Sequence, residues 1–178
     1  MTEYTGPLLT EGAQRKSRIA KLRPWVVVIA PLLAILFQVY VPQLISYLSY
    51  LELPLLVTVY FSLNRRSPIA GTLFGAVVGL LQDSLSHQPI GMFGIVKTLV
   101  GYFAGSVSLR FDVENAVIRF ILSFFFFFFH QFFYWVLARA LLGQSVDFSP
   151  QQSLVLGLLN AVVAMPLYLI LDKLKATE

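Results

Sequence analysis

Six side chains that could do chemistry lie inside otherwise apolar stretches of this sequence: Glu52, Asp83, Lys97, His130, Gln131 and Asn160. A charge at the centre of a membrane helix costs about 2.5–3.5 kcal/mol on insertion scales, so such groups pair, face a cavity or mark a site. Asp83 and Lys97 flank one turn. In an antiparallel hairpin they differ by about four residues in depth, roughly 6 Å at the helical rise, which a lysine side chain can span. The leading expectation is an intramembrane pair that braces two helices, with a ligand or partner contact as the alternative. For His130 and Gln131 interhelical hydrogen bonding is expected. A proton relay would need further ionisable groups at their depth, and only Glu52 and Asn160 offer themselves.

A second pattern concerns backbone approach. Gly71, Gly75 and Gly79 recur every four residues and lead to Asp83, while Lys97, Gly101 and Gly105 repeat the step. Small residues at this spacing let helices meet closely where lipid gives no hydrophobic driving force. Each step drifts about 40° around a straight helix, so the row is a slanting stripe. It serves either packing within the chain or contact with a partner.

Catalytic machinery is missing from the sequence. There is no cysteine, and no GxxxxGK, HExxH or GxSxG occurs. The two histidines, His87 and His130, are far apart. No enzyme activity, cofactor or metal is expected.

The elements that must position these residues follow from composition. Of 178 residues, 57% are hydrophobic and 12% charged, with a mean hydropathy of +0.76. A water-soluble domain carries about twice that charge. Dividing the chain at charges and turn residues gives six apolar segments: about Trp25–Val41, closed by Pro42, then Leu44–Leu63, Pro68–Leu85, Ile90–Leu109, Ala116–Leu142 and Gln152–Leu171. The second is ambiguous because Pro54 should break it and Glu52 is costly at depth. Either it spans as one helix, or residues 43–52 lie at the outer interface and Leu53–Leu63 spans obliquely. The fifth holds six consecutive phenylalanines, Phe124 to Phe129, which cover every side of a helix and so divide between lipid and packing.

Charge placement orients these segments. Arg15, Lys16, Arg18, Lys21 and Arg23 precede the first segment, which is too long for a cleaved signal peptide and reads as a signal anchor. With the N-terminus inside, these five and Arg65, Arg66, Arg110, Arg119, Lys173 and Lys175 fall on the cytoplasmic side, eleven of the thirteen basic residues. The net charge of +4 is therefore a topology signal and not a nucleic-acid surface. The expectation is an all-α integral membrane protein with six transmembrane helices, N-in and C-in: a basic tail at 1–23, one transmembrane domain at 24–175 and a short tail at 176–178.

Within that frame, Leu53, Pro54, Leu55, Val59, Tyr60, Arg65 and Arg66, the spaced glycines, the run Gly79-Leu80-Leu81-Gln82-Asp83, then Pro89-Ile90-Gly91 and Lys97-Thr98-Leu99-Val100-Gly101-Tyr102 resemble the rod shape-determining protein MreD family. These motifs cover about a third of the chain. The resemblance implies a role in lateral peptidoglycan synthesis and cell shape at the bacterial cytoplasmic membrane. MreC is the implied direct partner, with RodA, a class B penicillin-binding protein and MreB in the same complex. It also implies a fold similar to the S-components of energy-coupling-factor transporters. A vitamin-binding subunit of that kind is the rival function, though Asp83, Lys97 and Asn160 alone are thin provision for a pocket.

Overall fold

The computed structural model describes residues 23–86, 89–144 and 149–175. Among them are six α-helices: α1 (Pro24–Leu44), α2 (Leu53–Arg65), α3 (Pro68–Leu85), α4 (Met92–Val107), α5 (Ala116–Leu142) and α6 (Pro150–Lys173). A short 3-10 turn, Ser46–Tyr50, lies between α1 and α2. Taking that turn and α2 as one unit, five elements are long and apolar enough to cross a bilayer, and α4 is shorter at 16 residues. The chain is a multi-pass membrane protein. The expected outer-loop residues His87, Gln88, Ser145 and Asp147, the basic tail before Arg23 and the tail at 176–178 lie outside the described residues.

Local signals set most of the helix ends. Ser67 caps α3 by accepting from the Ala70 amide, with Pro68 in the first turn, where its missing N–H costs nothing. Asn115 caps α5 through the Val117 amide at 2.8 Å, and Gly143 ends that helix at φ 61°. Pro42 does not close α1 as expected. It sits in the last turn, and the helix runs on to Leu44.

The second segment is not one continuous helix from Leu44, since the 3-10 turn Ser46–Tyr50 separates α1 from a short α2. The 3-10 turn folds back along α1, where the Gln38 amide donates to the Ser49 carbonyl at 3.5 Å. Helix α2 then begins at Leu53 with Pro54 in its first turn, and its 13 residues rise only about 20 Å. Every residue from Pro54 to Leu63 is buried. A helix that is apolar all round belongs in a core. One side of α2 packs with Val26, Ala34, Ala164 and Tyr168 of α1 and α6. Its other side meets Val100, Ala104, Leu122, Phe126 and Phe127 of α4 and α5. The bundle is thus assembled around α2. The phenylalanine run divides as a helix must, with Phe126 and Phe127 fully buried and Phe125 half exposed.

Candidate functional site

Helices α3 and α4 form a hairpin joined backbone to backbone. A Cβ at Gly71 would overlap the Gly101 carbonyl, one at Gly75 the Lys97 carbonyl and one at Gly79 the Phe93 carbonyl. Gly105 lies equally close to Ser67 and Pro68. The glycine stripe of α3 therefore faces α4 within the chain. That contact fixes Lys97 beside Gly75, near the middle of α3.

Asp83 closes the far end of the hairpin. Its carboxylate accepts the amides of Gly91 (2.9 Å), Phe93 (3.0 Å) and Gly94 (2.9 Å). The first amides of a helix have no partner within it and carry its positive dipole end, so a carboxylate there satisfies both needs at once. Gly91 has φ 101°, a conformation suited to glycine, and delivers its amide to the same oxygen as Gly94. The expected direct pair with Lys97 is not made, because Asp83 is committed to the backbone turn instead.

Lys97 is fully buried, and its Nζ has no hydrogen-bond partner. It lies 4.4 Å from the centroid of the Phe93 ring. The charges of two carboxylates, Glu52 and Asp83, reach it. Glu52 precedes α2, and its Oε2 is likewise buried without a partner among the described residues. His130 of α5 completes the group. Its ring stacks on Phe93 at 5.9 Å and on Tyr134 at 6.4 Å, and it feels the Lys97 charge. The interhelical hydrogen bond expected of His130 is absent, since neither ring nitrogen has a partner. Gln131 is half-buried on the same helix. Gln82 Oε1, one residue before Asp83, is a further buried atom without a partner.

Asn160 is what holds Glu52 in place. Fully buried on α6, it accepts the Glu52 amide at 2.8 Å and donates to the carbonyls of Tyr50 (2.8 Å) and Leu156 (2.9 Å). Non-helical backbone at membrane depth needs such partners, and this one amide serves both strands of the break before α2. Glu52, Lys97 and His130 thus converge from three elements on one buried centre. Their unpartnered atoms are a donor cation, an acceptor and an imidazole, a set suited to holding water or a small polar group.

A second polar cluster, at the end of the bundle carrying Arg65, Arg66 and Lys173, is complete in itself. Arg119 pairs with Asp172, whose other oxygen takes Lys175 at 2.6 Å and the Tyr60 hydroxyl at 2.8 Å. Arg119 Nε donates to the Val113 carbonyl, and Ser123 donates to the Tyr168 hydroxyl at 2.9 Å. Counting Arg119 only as a cytoplasmic-side charge hid this cluster in the sequence. The signal that could have found it is Asp172, an acidic residue within the last turns of an apolar helix.

A family model for the rod shape-determining protein MreD matches residues 19–176, which is the whole bundle. The chain belongs to the MreD family. It is therefore a membrane component of the system that determines rod shape, a family of shape-determining proteins and not of known enzymes. No curated protein and no solved structure matches the chain.

Proposed function

We propose that this member of the MreD family is a scaffold or regulator of the rod elongation complex. It binds MreC directly and supports RodA, a class B penicillin-binding protein and MreB in lateral peptidoglycan synthesis, from the bacterial cytoplasmic membrane with both termini inside. The observation that carries this reading is the family match over the entire bundle. Neither catalysis, a cofactor nor nucleic acid enters the scheme. Depletion in a rod-shaped host should give rounded cells, and the purified chain should bring MreC with it. Normal rods after depletion, or a purified chain devoid of MreC, would reject it.

One observation favours a second reading, that of a subunit resembling the vitamin-binding S-components of energy-coupling-factor transporters. Glu52 and His130 join Lys97 there, two buried polar groups beyond the Asp83, Lys97 and Asn160 that the sequence offered. Loss of vitamin uptake on depletion, with cell shape intact, would replace the scaffold by this reading.

A further inference from the structure

Helices α1 and α6 both pack on α2 yet leave a lateral opening between them. The resulting groove, of about 330 Å³, is walled by Ile29, Ala30 and Leu33 of α1 and by Leu167 and Ile170 of α6, with Val57 of α2 as its floor. Its walls are apolar throughout, and one end opens beside Trp25 and Leu174. We propose that this groove holds one acyl chain of an anionic phospholipid, with the headgroup phosphate resting against Arg23 and Lys173.

Width decides what can enter. A helix with its side chains is about 10 Å across, so a partner helix cannot lie within the groove without prising α1 from α6. A single acyl chain is thin enough, and voids between packed helices forfeit dispersion contacts unless something fills them. Charge decides the headgroup. Arg23 and Lys173 immediately flank the mouth residues, both are exposed, and neither has an ion-pair partner among the described residues. Nearby Asp172 is already held by Arg119, Lys175 and Tyr60, so it does not repel an incoming phosphate. Trp25 is placed as an interfacial anchor at headgroup level, as tryptophans at helix ends are. The inference stands apart from the scaffold reading, since a bound lipid would steady α1 whatever the bundle does.

The test is native mass spectrometry of the full chain released from vesicles of equal phosphatidylglycerol and phosphatidylethanolamine. The wild type should retain one phospholipid and favour phosphatidylglycerol by tenfold or more, on the basis of about fivefold per cation near the surface. Arg23→Gln with Lys173→Gln changes only exposed side chains; it should abolish the preference yet leave a lipid bound. Ala30→Phe, which fills the groove from α1, should lose the lipid of either kind. Equal retention of the two lipids by the wild type would overturn the assignment. So would a lipid that survives Ala30→Phe in a folded variant, or a photocrosslinker at position 33 that captures a protein in cells instead of phospholipid.

Discussion

The two polar clusters of this bundle use the same residue types to opposite ends. Around Asp172 every charge meets a partner: Arg119, Lys175 and Tyr60 all reach one carboxylate. Around Lys97 they do not. The ammonium, one Glu52 oxygen and both His130 nitrogens are buried without hydrogen bonds. A satisfied buried network fixes a structure, whereas an unsatisfied one costs stability that something else must offset. The first cluster thus reads as a brace locking α5 to α2 and α6. The second reads as the place where a water or a polar ligand is bound, or where the bundle changes state.

That contrast depends on Lys97 being held at its depth by the α3–α4 seam, so breaking the seam should have the largest effect. Gly75→Leu drives a side chain into the Lys97 carbonyl and should destabilise the extracted protein by about 4 kcal/mol or more, in the range reserved for severe core disruption. Phe126→Leu, equally apolar and equally buried, should cost about 1.5 kcal/mol or less by repacking. Equal losses in a detergent unfolding titration would show that the seam is not a close interface.

Next in size is the brace itself. Arg119→Met leaves Asp172 without its buried partner and should cost about 3 kcal/mol, the low end for such pairs because the carboxylate is partly exposed and keeps Lys175. Asp83→Asn should cost about 1.5–3 kcal/mol, since three backbone amides lose an ionised acceptor. A smaller loss at Arg119 than at Asp83 would invert the proposed division between brace and cap. Lys97→Met should be the mildest of the five. It removes a charge with no hydrogen bond to lose, and the change in stability should stay within about 1 kcal/mol of zero because relief of desolvation offsets the lost attraction to Glu52.

Much of this architecture was legible in the sequence. Hydropathy and turn residues placed α1, α3, α5 and α6 to within a few residues, and the four-residue glycine spacing marked the side of α3 that meets α4. What escaped was non-local. Pro54 announced a break, but whether the preceding residues would span or lie at the interface depended on Asn160, more than a hundred residues later, supplying hydrogen bonds to Tyr50 and Glu52. Asp83 and Lys97 were expected about four residues apart in depth, yet Lys97 lies beside Gly75, eight residues before Asp83 on α3, and the spacing does not decide who bonds to whom. Amides at the start of α4 compete for the carboxylate and win, because they have no other partner. With Asp83 held by those amides, Glu52 Oε2 and Lys97 Nζ are left buried without partners among the described residues, a relation between the start of α2 and α4 that no local pattern carries.

Lys97 is expected to couple to Glu52, whose Oε2 is buried without a partner among the described residues, and not to Asp83, whose carboxylate three amides already hold. Two double-mutant cycles on the extracted protein test it most directly, one combining Glu52→Gln with Lys97→Met and the other Asp83→Asn with Lys97→Met. The first cycle should show a coupling of about 1 kcal/mol or more, the double change being milder than the sum of its parts, and the second near-additivity within about 0.5 kcal/mol. Strong coupling between Asp83 and Lys97, with Glu52 additive, would contradict it.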